Sequence, residues 1–252
     1  MGNFSFDVRT LNLIIAFECI SLGLFVTYIK FAAPSHKGIL RWALSLFVLG
    51  AGFLIYATNL WTHEWITAVL VNVLFVLSPA LQLDGIYAFK GQKTNHSKLI
   101  YLSALFIGIA SILSSFVWRS IPIRVALTAL CIGALQLGIA YQHIRNIPKK
   151  EIWSNRWLAL VFFANGIFNV VRAFTVHTGD EAPFKVPQGP LPVMALLFIG
   201  ISALAWTLGY LLIFAMRLYN ENTEARLSRV RQENASFLRL LIDNIPFSIY
   251  YK

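Results

Sequence analysis

Seven separate stretches of this chain are each long and apolar enough to cross a lipid bilayer, and no other feature constrains its fold as tightly. They cover residues 11–31, 42–61, 66–89, 99–118, 125–144, 157–177 and 191–219. A hydrocarbon core about 30 Å thick requires roughly 20 apolar residues per helical span. A closed barrel is the other way to satisfy backbone hydrogen bonds in lipid. Its strands read as alternating segments of about ten residues, whereas these runs are continuous. The fold class expected is therefore all-α: a polytopic membrane protein built as a seven-transmembrane-helix bundle. Composition agrees. Hydrophobic residues make up 58% and charged residues 13% of the 252, against roughly 45–50% and 25% in soluble domains. So much apolar surface excludes disorder, and 2 cysteines exclude a disulfide scaffold.

The net charge of +10 points to nucleic acid only until the charges are located. Lys30, Lys37, Arg41, Lys90, Lys93, Lys98, Arg145, Lys149, Lys150 and Arg156 fall in or beside the first, third and fifth connections. Arg217, Arg226, Arg229, Arg231, Arg239 and Lys252 follow the last span. The N-terminus and the even connections hold only Arg9, Arg119, Arg124 and Lys185. Short cytoplasmic loops carry the excess of Lys and Arg, so the N-terminus is expected outside and the C-terminus in the cytoplasm, in the inner (plasma) membrane. The positive charge is then an orientation signal and a contact for membrane lipid; no nucleic-acid partner is expected. The first run lacks a basic leader and a small-residue cleavage site, and is read as a permanent span.

Ionisable groups within spans are functional candidates by default. Glu18 lies seven residues below the outer end of the first span. Arg172 lies seven residues below Gly179, beyond the sixth. At 1.5 Å per residue each is roughly 10 Å deep, so the two charges are expected at one level. Pairing would relieve two desolvation penalties together. Asn72 and Asn59 accompany them from the third and second spans. Asn165, Asn169 and Arg172, spaced i, i+4, i+7, share one face of the sixth helix. The set Glu18, Arg172, Asn169, Asn165, Asn72 and Asn59 is thus either a buried charge pair with interhelical polar contacts, or an outward-facing site for an unknown hydrophobic or amphiphilic small molecule. Glu18→Gln and Arg172→Ala are each expected to abolish signal response or folding.

Other chemistry finds little support. No lysine lies within a span, apart from Lys30 and Lys90 at the edges, so a retinal Schiff base has no anchor. His143 and His177 belong to opposite faces, and no haem, metal or other cofactor is expected. Walker loops, zinc-protease helices and nucleophile elbows do not occur, so the chain has no catalytic site of its own.

Beyond Tyr219 the sequence becomes charged and helical. With Leu227, Asn234 and Leu241 as heptad a positions, Val230 and Phe237 occupy d. An Asn at a is a device for fixing register in a two-stranded coil. A continuous seventh helix leading into a parallel homodimer is expected, with Trp206, Leu227, Val230, Asn234 and Phe237 along the relay.

The closing segment FLRLLIDNIPFSIYYK, residues 237–252, resembles the opening of a PAS domain, in which a helix ending in Leu-Leu-Ile-Asp-Asn is followed by Ile-Pro and a first strand. A seven-helix module, a charged helix and a PAS start together resemble the membrane input halves of bacterial sensor histidine kinases and diguanylate cyclases. That resemblance implies a seven-helix sensor over residues 1–219, a signalling helix over 220–240 and a truncated PAS start over 241–252. On this reading the chain is a fragment of a signal-transduction protein, and kinase or cyclase chemistry lies outside it. A small membrane transporter is the rival. It requires polar groups through the inner half, where only Gln82, Asp84 and Gln142 stand, near helix ends.

Overall fold

The computed structural model describes residues 8–32, 37–58, 64–92, 97–116, 121–145, 147, 151–175 and 190–244. These form seven α-helices: α1 Val8–Ala32, α2 Ile39–Thr58, α3 Glu64–Phe89, α4 Ser97–Phe116, α5 Ile121–Ile144, α6 Ile152–Thr175 and α7 Pro190–Asn244. Six are long and apolar enough to span a bilayer; the apolar part of α4, Ile100–Ser114, is shorter. The protein is a polytopic, all-helical membrane bundle. By contacts the chain divides into two compact units, Met1–Gly209 and Tyr210–Lys252.

Side-chain distribution in the first unit is that of a protein solvated by lipid. Ile14, Phe17, Leu24, Tyr28 and Phe31 form an exposed stripe on α1, and Leu102, Leu105, Ile109, Ile112 and Phe116 form another on α4. Steps of three and four keep such residues on one face, and apolar stripes of this size are not left facing water. Polar groups turn inward, where most bond to their own helix. Asn12, Ser45, Thr128, Asn165 and Thr207 each donate to a carbonyl three or four residues back, at 2.7–2.9 Å. Back-bonding of this kind satisfies a donor without a partner helix.

Register follows from which residues meet. Between α1 and α2, a Cβ on Gly50 would stand 3.0 Å from the Ala16 carbonyl and one on Gly23 would stand 3.0 Å from Phe47. Between α5 and α6, Gly133 faces the Gly166 carbonyl while His143 meets Asn155. Phe168 and Phe162 of α6 contact Phe198 and Trp206 of α7. In each pair the numbers run in opposite senses, so neighbours in sequence are antiparallel. Between α3 and α5 they rise together, Leu83 with Gly138 and Tyr87 with Gln142, so these two helices are parallel. Close approach at Gly133 and Gly166 is the small-residue packing expected where lipid removes the hydrophobic drive between helices.

Two turns at the end bearing the odd connections are fixed by glycine. Gly38 (φ 93°) precedes α2, its carbonyl accepting from Arg41 N and Trp42 N at 3.0 and 3.2 Å. Gly91 (φ 67°) ends α3, with Gln92 N donating to Tyr87 O at 3.0 Å and Gly91 N to Ala88 O at 3.1 Å. That pair of bonds is a Schellman cap, which needs a left-handed residue at this position. Pro79 lies inside α3, whose helix continues on both sides.

Candidate functional site

At the end of the bundle bearing the N-terminus, Glu18, Arg172 and Asn169 have different neighbours among the described residues. Glu18 packs beside α7: a Cβ on Gly200 would lie 3.4 Å from its Oε2 and 3.5 Å from Ile15. Its Oε1 is buried with no hydrogen-bond partner. Arg172 is exposed on α6 and lies within electrostatic reach of Tyr56 on α2, as does Arg124 on α5. Among the described residues Glu18 and Arg172 make no salt bridge with each other.

Helix register explains the separation. Phe198, two residues before Gly200, contacts Phe168, and Arg172 follows Phe168 by four residues in the opposite direction. Six residues at 1.5 Å each set the Arg172 backbone about 9 Å nearer the N-terminal end than Gly200. Sequence alone located both charges by span ends at Leu11 and near Gly179. Helix α1 instead begins at Val8 and α6 ends at Thr175, which deepens Glu18 and raises Arg172.

Asn165 and Asn169 are both buried on one face of α6. Asn169 Nδ2 donates to Gln136 Oε1 of α5 at 3.1 Å and to Asn165 O at 3.0 Å, so this asparagine ties α6 to α5. Asn72 is half-buried on α3. Asn59 lies outside the described residues. Trp206 is buried against Phe162, with ring centroids 6.2 Å apart. Leu227, Val230, Asn234 and Phe237 are all exposed on α7. Cys19 and Cys131 are free thiols.

A second polar assembly stands at the opposite end, where sequence reasoning saw only residues near helix ends. Asp84 of α3, 3% exposed, receives Arg41 Nε of α2 at 3.1 Å and the Tyr101 hydroxyl of α4 at 2.7 Å. One carboxylate thereby joins three helices. Gln142 Nε2 of α5 donates to the Tyr87 hydroxyl of α3 at 2.9 Å. Lys90 Nζ donates to the Gln142 carbonyl and, at 2.9 Å, to that of Arg145. One is a carbonyl of α5's final turn and the other belongs to the residue that follows the helix, where unpaired carbonyls attract a cation.

Buried His143 meets Asn155 Oδ1 of α6 through Nδ1 at 2.9 Å, and Asn155 Nδ2 donates to Glu151 O at 3.0 Å. With the amide nitrogen committed to Glu151, Oδ1 is left to accept, which assigns the proton to His143 Nδ1. The signal available in sequence was the burial cost itself: Asp84, Gln142 and His143 sit in apolar helices and require partners.

Comparison of the chain with protein-family models, with curated proteins and with solved structures gave no match. The length and hydropathy of its helices define the class as that of a polytopic helical membrane protein.

Proposed function

We propose that this chain is the membrane-embedded input module of a bacterial signal-transduction protein. On this reading its N-terminus is outside and its C-terminus cytoplasmic, in the inner membrane. An outer-leaflet or periplasmic signal biases the bundle, and α7 carries the change to a PAS domain and a histidine kinase output. A diguanylate cyclase output fits the same module. The observation that carries the reading is α7 itself. Beyond its apolar segment the helix continues to Asn244, with every residue from Glu221 onward exposed. Leu227 and Phe237, 52% and 61% exposed, lie on the heptad seam with Val230, Asn234 and Leu241. An apolar seam on a charged helix is suited to a second copy of itself. Residues 245–252, with the Ile-Pro step of the PAS resemblance, lie outside the described residues.

Glu18 supports the sensing role. A carboxylate oxygen buried without a partner is costly, and Glu18 rests against α7 where a small displacement of that helix changes its surroundings. A signal acts only by favouring one arrangement over the other.

The test is disulfide crosslinking of the full chain in membranes, with Cys19→Ala and Cys131→Ala as background. Single cysteines replace Leu227, Val230, Phe237, Ser228 or Gln232. The reading expects dimeric crosslinks at the first three positions and few at the last two. Uniform or absent crosslinking overturns the dimeric relay. Solute flux through liposomes containing the chain favours the transporter instead.

A further inference from the structure

The carboxyl of Glu18 is given no counter-charge by the two helices that flank it. Glu18 is the tenth residue after Val8 in α1 and Gly200 the tenth after Pro190 in α7, which sets both about 15 Å below the starts of their helices. They meet at that level: a Cβ on Gly200 would stand 3.4 Å from Glu18 Oε2 and 3.5 Å from Ile15. Glu18 Oε1 is buried without a hydrogen-bond partner. Helix α1 has no basic residue between Arg9 and Lys30, and α7 has none before Arg217.

The seam between α1 and α7 opens to lipid at the same level. Ile14 and Phe25, four residues before and seven after Glu18, lie within about 40° of it around α1 at roughly 100° per residue, and both are exposed. Leu197 and Leu204, three before and four after Gly200, lie within about 60° of it around α7 and are exposed as well. The rotation from Glu18 to its pair is opposite in sense to the rotation from Gly200 to its own. Helices that alternate in direction leave α1 and α7 parallel, so opposite rotations from the facing residues lead to the same side of the seam. These four side chains therefore wall one groove, whose floor is the Glu18 carboxyl and the bare backbone of Gly200.

An occupant matching this groove brings a positively charged hydrogen-bond donor to the carboxylate and an alkyl body between the walls. A charge-assisted bond of that kind removes the cost of an unpaired buried oxygen. Phospholipid head groups stay outside the hydrocarbon core and are not the donor at this depth. We propose that the α1–α7 groove binds a lipophilic amine, its ammonium on Glu18 and its chain against Ile14, Phe25, Leu197 and Leu204. The proposal deepens the reading of Glu18 as the sensing group and rests on it for any effect on α7, whereas binding itself needs no transmission.

Photolabelling of the full chain in phosphatidylcholine vesicles tests it, with a diazirine-bearing dodecylamine and the matching alcohol as probes. The amine should label α1 and α7 peptides about tenfold more than the alcohol, the preference of one charge-assisted contact. The chain's net charge of +10 works against a cation, so general electrostatic attraction does not produce that preference. Glu18→Gln should erase it, and Gly200→Leu, which fills the floor, should weaken labelling by both probes. Equal labelling of the wild-type chain by the two probes overturns the proposal, and this arm does not depend on any variant folding. So does a preference that survives Glu18→Gln, or label spread evenly over all the helices. Absence of the preference in a chain whose seam still crosslinks removes the ligand and leaves the relay. A clear preference with seam crosslinks absent supports the site and removes the relay alone.

Discussion

Asp84 concentrates more of the structure's polar bonding than any residue singled out from sequence. Its carboxylate is buried, yet it is reached by Arg41 from α2 and by Tyr101 from α4. Removing one member of a buried pair leaves the other without compensation. Here the guanidinium is 43% exposed, so water takes up part of that loss and the Tyr101 bond carries the rest. Asp84→Ala should cost about 1–3 kcal/mol, read as a lower unfolding midpoint in detergent, while Tyr101→Phe should cost less. Glu18 predicts the opposite sign. Its Oε1 has no partner, and a neutral amide is cheaper to bury than an ionisable carboxyl. Glu18→Gln should therefore leave the midpoint unchanged or raise it while abolishing signal response; a marked fall reveals a structural partner.

At the scale of helices, the crossings depend on missing side chains. A Cβ on Gly133 would stand 3.0 Å from the Gly166 carbonyl. Backbone cannot rotate aside, so Gly133→Ala should cost about 1–3 kcal/mol by forcing α5 and α6 apart. Gly38→Ala combines left-handed backbone with a clash against the Gly85 carbonyl and should be more severe. Gly91→Ala has equally unusual backbone but nothing within 4 Å of the added carbon, so only about 1 kcal/mol of conformational cost remains. Thermal unfolding of the three variants should give that ranking.

Element boundaries were largely legible because continuous apolar runs announce themselves. The expected span over 66–89 and helix α3 at Glu64–Phe89 differ by two residues at one end. Errors of three or four residues at α1 and α6 were nevertheless enough to misplace two charges relative to each other. Spacing identified the shared face of Asn165 and Asn169, since one helix's periodicity is local information. Their connection to Gln136 was not legible, and neither was the Arg41–Asp84–Tyr101 junction. Those contacts depend on which helices become neighbours and in what register, which no single segment encodes.

For the whole molecule, charge placement predicts a topology that labelling can check. In right-side-out vesicles, a cysteine at Lys93 should be protected from an impermeant maleimide, and one at Ala182 should react. Reversal of that pattern would place the basic connections outside. Unit boundaries also bear on transmission. The polar assembly joining α2 to α6 lies in the unit Met1–Gly209, whereas the heptad seam belongs to Tyr210–Lys252. Disrupting Asp84 should therefore loosen the bundle without altering the crosslinking pattern of the seam.

Side-chain hydrogen bonds fasten five helices at the end bearing the odd connections, through Arg41, Asp84, Tyr101, Tyr87, Gln142, His143 and Asn155. Helices pinned at one extremity behave as the arms of tongs. Their spread is smallest at the rivet and grows with distance from it, so a molecule wedged between the far tips gains the longest leverage on the assembly.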